Sequence, residues 1–330
     1  MSLSGLTVPP RIAPVALVRH LALPVAIVLV FALFGALQPA MLSEANLVNI
    51  LKQSALFFFV AAAQLMVLIT RGFDLSVGAN ISLVSVVSSM VMTGLVSTLG
   101  APVAIAAGIA TGIGIGGLIG AINGFFVAIV GINAFVVTLA TMSVIGGIAT
   151  TVSGGFPIFN LPEGFGWAFN QARWLILPAP VMLAALVGLG LHFVLSGTVH
   201  GRVLYILGDS PQAAHVAGRR VRAHHFFAYV WAGVLAAMAG LLMTAQTGSG
   251  EPNLGTSVVL TSVAAAVVGG ASLRGGTGTV LAPILGALLI TALSVGMNLE
   301  QINGALQPVV VGVILVVGAG LDAWRNARQG

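Results

Sequence analysis

The chain has no cysteine, and only 6% of its 330 residues are charged. Its one lysine is Lys52. Each shortage excludes a class of function. Without cysteine there is no disulfide framework, no thiolate metal site and no cysteine nucleophile. A phosphate-binding loop needs Gly-Lys-Ser/Thr, but Lys52 stands in NILKQSA with no glycine beside it. ATP-driven work would therefore need a hydrolysing partner. Soluble domains carry about 25% charged residues, so an ordinary soluble fold is excluded as well. Acids are scarce in the apolar segments. Glu44, Glu163, Glu251 and Glu300 fall near one expected membrane surface, and Asp209 and Asp322 near the other. Asp74 alone stands near an intramembrane position, whereas ion-coupled carriers usually bury several such groups.

What is present is apolar. Hydrophobic residues make up 58% of the chain, and the mean hydropathy is +1.11. This composition predicts an all-α polytopic membrane protein whose main solvent is the bilayer. A spanning helix needs about 20 mostly apolar residues. On that rule there are ten spans, at 21–39, 54–70, 76–97, 101–129, 133–152, 176–197, 226–246, 257–272, 279–298 and 306–322. The 101–129 segment is long enough to tilt or break. The pair over 257–298 is interrupted by SLRGGTG, which suits a re-entrant stretch. Residues 1–20 form a polar leader, 21–322 the transmembrane domain with an internal loop at 198–225, and 323–330 a tail.

Ten spans put both termini on one side. With that side cytoplasmic, it holds Arg11, Arg19, Arg71, Arg202, Arg219, Arg220, Arg222, Arg274, Arg325 and Arg328. The other side keeps Lys52 and Arg173. That asymmetry obeys the positive-inside rule, and it accounts for the net charge of +5 without any nucleic-acid partner. The long outer loop at 153–175, with Trp167 and Trp174, suits an interfacial segment. Five spans precede it and five follow, so the second half would be an inverted repeat of the first. Two echoes support this: GFDLSVGANISLVSV with GEPNLGTSVVLTSVA, and GAINGFFVAIVGINAF with GALLITALSVGMNLEQINGAL.

Gly108, Gly112, Gly116, Gly120 and Gly124 recur every four residues and form one bare ridge on a helix. Such a ridge permits close helix packing in lipid. The letters GxGxxG at Gly112, Gly114 and Gly117 are no dinucleotide site, because no strand precedes them and no acid follows at the required distance. Asp74, with Ser76 after it, suits a cap at the break before the third span, with Arg71 one turn back as a pairing partner. A serine-hydrolase reading from Ser272 and His192 has nothing to bring the two together. His224 and His225 point about 100° apart on a helix, so they read as part of a basic interfacial patch. No metal site is expected.

The polar island at 198–225 holds four of the six histidines together with Arg202, Arg219, Arg220 and Arg222. Inside it DSPQAAHVAG spells a helix of about eight residues. Asp209 or Ser210 caps its start, Gln212 stands as a capping-box partner, Pro211 fits the first turn, and Gly218 ends it in the left-handed conformation. Ala213, Ala214 and Ala217 form a small-residue face. Charge asymmetry explains the arginines but not a capped alanine helix, so this segment is read as a docking element.

Three stretches carry a resemblance to a known family. GFDLSVGANISL at 72–83, LGDSPQAAHVAGRRV at 207–221 and VVGGASLRGGTGTVLAPILGALLI at 267–290 resemble the signature segments of permease subunits of ATP-binding-cassette importers for ribose, xylose and galactosides. The likeness runs over residues 45–322. It implies a second permease subunit (a homodimer), cytoplasmic ATPase subunits that bind ATP and Mg, and an extracytoplasmic sugar-binding protein, all at the bacterial inner membrane. It also implies that Gly208, Asp209, Ser210, Gln212, Ala213, Ala214, Ala217, Gly218 and Arg219 form the ATPase-coupling loop. Arg219 stands where homologues often carry isoleucine. This chain would have no catalytic residue and no cofactor of its own. A neutral sugar calls for hydroxyl-matching groups rather than buried charge. The candidates along the pathway are Gln64, Asp74, Ser76, Asn80, Ser82, Asn123, Asn133 and Thr138, each of which also suits a role as interhelical glue. The alternatives are a self-contained secondary transporter or channel, or a permease for branched-chain amino acids or nucleosides.

Overall fold

The computed structural model describes residues 14–216, 218 and 220–327. Ala217, Arg219 and most of the leader lie outside them, as do Arg11 and Arg328. The helices in chain order are α1 (Pro14–Leu37), α2 (Glu44–Leu68), α3 (Val77–Leu99), α4 (Ala101–Gly124), α5 (Ala134–Val152), α6 (Glu163–Gly166), α7 (Ala179–His192), α8 (Val199–Asp209), α9 (Pro211–Val216), α10 (Val221–Thr247), α11 (Val258–Val268), α12 (Leu281–Leu299) and α13 (Leu306–Ala327). The only sheet among the described residues is a two-residue hairpin, Arg173–Trp174 against Leu177–Pro178.

Among the described residues, seven helical stretches are long and apolar enough to cross a membrane. The longest runs over Ala101–Val130, where α4 passes into a π-helical turn instead of breaking. The other three expected spans coincide with shorter apolar helices, Leu21–Leu37, Val258–Val268 and Leu306–Val317. With 11 residues, α11 reaches about 16 Å, roughly half of the ~30 Å hydrocarbon thickness. Glycines explain its shortness. Gly255 lies just before it, and Gly269 and Gly270 close it.

α2 is hydrophobic all round and almost wholly buried from Ala55 to Ile69, as befits a central helix. α10, α11, α12 and α7 pack on it. α10 also packs against α3 and α4, and α5 lies on α3, α13 on α11 and α1 on α12. The outer helices show apolar side chains such as Val28, Phe135, Leu189 and Val316. Such faces suit lipid, which is as apolar as leucine.

The segment expected as one loop with one helix holds two helices. Thr198 caps α8 by accepting from the Gly201 amide at 3.2 Å. Val203, Leu204, Leu207 and Gly208 pack inward while Arg202 and Ile206 stay exposed.

Candidate functional site

Three segments distant in sequence meet at the arginine-bearing end of the bundle: the end of α2, the end of α8 and the loop 270–279. The Gly276 amide donates to the Ile69 carbonyl at 2.9 Å. Arg71 donates from Nε to the Gly208 carbonyl and from Nη2 to the Asp209 carbonyl. Tyr205 Oη donates to the Gly278 carbonyl at 2.7 Å, and burial pushes this hydroxyl above its ordinary pKa, so it stays a donor. Gly208 is required by space, because a Cβ there would overlap the Ile69 carbonyl and the Gly276 amide. Gly275 and Gly276, with φ of 79° and 72°, turn the loop back on itself where side-chain-bearing residues would be strained. The pairing expected between Arg71 and Asp74 is not made. Helix-end carbonyls, which lack intrahelical donors, take the guanidinium instead.

α9 projects from this junction. Ser210 is its cap, with Oγ accepting from the Ala213 amide at 3.2 Å. Asp209 ends α8, so Gln212 falls one place short of the capping-box position, and the described helix has six residues. Gly218 has φ of 68°. Ala214 is buried, whereas Asp209, Gln212 and Ala213 are exposed. Ala213 and Ala214 therefore point apart: adjacent residues diverge by about 100°, and Ala214 anchors the helix while Gln212 and Ala213 face outward.

Two of the histidines beside α9, His200 and His224, pair with each other. His200 Nδ1 and His224 Nδ1 lie 2.7 Å apart, which requires one neutral ring to accept. Burial, and then the neighbouring His224, hold His200 below the ordinary histidine value. The His225 ring packs on Tyr229 with centroids 5.6 Å apart.

A buried polar seam starts two residues beyond Gly72. Gln64 Nε2 donates to the Asp74 carbonyl at 2.7 Å. Asp74 Oδ1 accepts from the Ser76 amide at 2.8 Å and from its hydroxyl at 2.6 Å. Asn123 Nδ2 donates to Ser76 Oγ at 2.8 Å, and Asn123 Oδ1 accepts from Thr141 at 2.7 Å. The seam thus ties α2, the break, α3, α4 and α5 together. Asn80 Nδ2 donates to the Gly233 carbonyl at 3.2 Å. Gln64 Oε1 and Asn80 Oδ1 are buried acceptors with no protein donor. Ser82 accepts from the Gly255 amide at 3.0 Å. Asn133 and Thr138 stand apart from this seam. Asn133 is exposed and accepts from the Phe135 amide, and Thr138 donates to the Ala134 carbonyl.

The five ridge glycines of α4, Gly108, Gly112, Gly116, Gly120 and Gly124, are all buried. Added Cβ atoms would meet Met92 at Gly108, Leu241 and Val84 at Gly112, Ala237 and the Gly233 carbonyl at Gly116, the Tyr229 carbonyl at Gly120 and Phe226 at Gly124. The ridge therefore seats α10 for most of its length and α3 at its start.

This architecture has relatives. Residues 46–319 match the family model for the permease component of branched-chain amino acid transport systems. The chain belongs to this permease family. A probable ABC transporter permease, y4mJ, of Sinorhizobium fredii is 35% identical over 94% of this chain and 91% of the relative. The ribose import permease RbsC of Escherichia coli K12 is 32% identical over 92% and 93%. The galactose/methyl galactoside import permease MglC of the same strain is 32% identical over 88% and 90%. No solved structure matches the chain.

In this permease the three stretches that carry the family likeness are the three that meet at the junction or run into the seam. Sequence reasoning missed the role of Arg71, the whole of α8, and a second polar strip in which Thr244 donates to Ser85 at 2.7 Å and Ser85 accepts from the Glu251 amide at 3.0 Å. Thr198 as a cap and the spacing of Leu204 and Leu207 were legible signals for α8. For Arg71 no local signal exists, because its partners lie 137 and 138 residues away.

Proposed function

We propose that this permease is the translocation subunit of an ATP-driven importer for a monosaccharide, and that energy enters at α9. One observation carries this reading: a capped helix with exposed Gln212 and Ala213 stands directly on the carbonyls that Arg71 holds at the end of the central helix. The ribose and galactoside permeases among its relatives support the solute class. So does the seam, which is neutral apart from Asp74 and is built of amide and hydroxyl groups, with buried acceptors at Gln64 and Asn80 that no protein donor meets. In this reading the arginine-bearing end and both termini face the cytoplasm of a bacterial inner membrane. Cytoplasmic ATPase subunits bind ATP and Mg and grip residues 208–219. A second copy of the chain completes the pathway, and an extracytoplasmic protein delivers the sugar. The permease itself catalyses nothing and holds no cofactor.

The same reading includes two inverted halves. Packing supports them: α3 touches α4, α5 and α10, while α11 touches α12, α13 and α2. Ser76 and Ser257 precede α3 and α11 with matching backbone angles, −78°/−8° and −80°/−15°. Gly78 and Gly255 face each other, so that a Cβ on either would overlap the other's carbonyl.

Vesicles test the function. The chain is reconstituted with and without an ATPase and binding protein from a ribose-type system, and uptake of ribose, galactose and leucine is measured against ATP and against ion gradients. ATP-dependent sugar uptake that needs all the partners is the expected result. Uptake by the lone chain on a gradient refutes the proposal, and leucine uptake without sugar uptake refutes the solute class.

A further inference from the structure

We infer that Arg71 is the strut through which movement of the α9 segment reaches the broken end of α2 and the polar seam behind it. The inference rests on the coupling role proposed above for residues 208–219. One guanidinium grips two successive carbonyls, of Gly208 and Asp209, the last two residues before the Ser210 cap of α9. Helix-end carbonyls carry partial negative charge, and the rigid fork of arginine matches a pair of acceptors as a lysine ammonium does not. The grip is therefore directional, and it transmits displacement as well as attraction.

Arg71 also closes α2: its amide donates to the Leu68 carbonyl at 3.0 Å and the Gly72 amide to the Val67 carbonyl at 2.8 Å, a left-handed helix ending that usually falls to glycine. The φ of Arg71 is 62°, a conformation that glycine adopts freely and side-chain-bearing residues avoid.

The other end of the strut leads straight inward. Gly72 follows, with its Cα backed against the Tyr229 hydroxyl so closely that a Cβ would not fit. Asp74 then anchors Ser76, and through Ser76 and Asn123 the contact reaches α4 and α5. Only Gly72 and Phe73 thus separate Arg71, whose guanidinium holds the docking element, from Asp74, where the buried network begins. The parallel connections, Ile69 to Gly276 and Tyr205 to Gly278, run to the loop 270–279 rather than from the α9 end into the seam.

The test compares Arg71→Gly and Arg71→Lys with the unaltered permease, each assembled with its ATPase and binding protein in vesicles. Three quantities are read: melting temperature, affinity for the ATPase, and sugar moved per ATP hydrolysed. Glycine relieves the left-handed backbone and removes the strut, so Arg71→Gly melts no lower and binds the ATPase as before through the untouched α9 surface. Sugar moved per ATP falls about tenfold, within the 5- to 150-fold range of coupling between linked sites. Arg71→Lys, a point charge without the fork, loses less. An unchanged coupling ratio in Arg71→Gly overturns the inference. A parallel loss of melting temperature or ATPase affinity also overturns it, since Arg71 would then be a clip holding α8 in place. If the unaltered assembly shows no ATP-dependent uptake, the coupling role itself is wrong and the strut falls with it. A coupled parent with an equally coupled glycine variant condemns the strut alone.

Discussion

Replacing Gly208 by alanine separates the junction from the rest of the fold. Gly208 is helical, so alanine gains about 1 kcal/mol of propensity over glycine there. Against this, the new methyl overlaps the Ile69 carbonyl and the Gly276 amide, both backbone atoms that cannot swing aside. Overpacking of this kind costs about 1–3 kcal/mol. Moving the two strands apart also breaks the 2.9 Å bond from Gly276 to Ile69, worth about 1 kcal/mol. The net expectation is a loss of about 1–3 kcal/mol confined to the junction, since the helices beyond it pack on other surfaces. Every 1.4 kcal/mol is a factor of ten, so amide exchange at Gly276 should accelerate about 5- to 150-fold. Hydrogen–deuterium exchange of the detergent-solubilised chain reads this directly. Gly190→Ala, where a Cβ meets nothing, is the control and should leave exchange unchanged. If Gly208→Ala exchanges at the parental rate, the close approach at Gly208 does not hold the junction. If all segments exchange faster together, the junction is not a separable unit.

Three further outcomes follow from the same geometry. Gly116→Ala should lower resistance to denaturing detergent by about 1–3 kcal/mol, because its Cβ meets Ala237 and the Gly233 carbonyl, whereas Gly114→Ala, facing open space, should be neutral or stabilising. Asn123→Ala removes the bridge between Ser76 and Thr141; at about 0.6 kcal/mol per membrane hydrogen bond, unfolding measurements should show a loss of about 1 kcal/mol, and a loss above about 3 would mean that the seam carries the fold. His200 is held below its ordinary value, so in the intervening pH window the unfolded chain binds more protons than the folded one. Stability should therefore rise with pH through that window and be lost as pH falls below the ordinary histidine value, and His200→Gln should flatten the dependence in thermal melts at pH 5 to 8.

The helical membrane class was legible because bilayer thickness imposes a length and a polarity that any such chain must write out. The places where expectation and structure part have physical reasons. Residues 257–272 are apolar enough for a span, but the flanking glycines stop α11 at 11 residues. Residues 199–209 mix Arg202 and Asp209 into an apolar stripe, and window hydropathy misses a helix that buries only Gly201, Val203, Leu204, Leu207 and Gly208. The cap of α9 was legible because Ser210 and Pro211 act on adjacent backbone. The contacts of Arg71 were not, because the local pattern offered Asp74 as a nearer charge. Only the folded chain reveals that Asp74 is satisfied by Ser76 and that the guanidinium faces the end of α8. Long-range hydrogen bonds to carbonyls leave no trace in residue types, since every residue carries one.

The claim at the centre of this account is that energy arrives by contact at α9. The chain has no native cysteine, so a single Gln212→Cys substitution supplies a unique probe. Cross-linking of that thiol in the complete assembly, with and without ATP, tests the contact directly. The account predicts efficient linkage to the ATPase subunit, an altered yield on adding ATP, and protection from a water-soluble maleimide. A thiol that reacts freely with the maleimide and never links to the ATPase contradicts it.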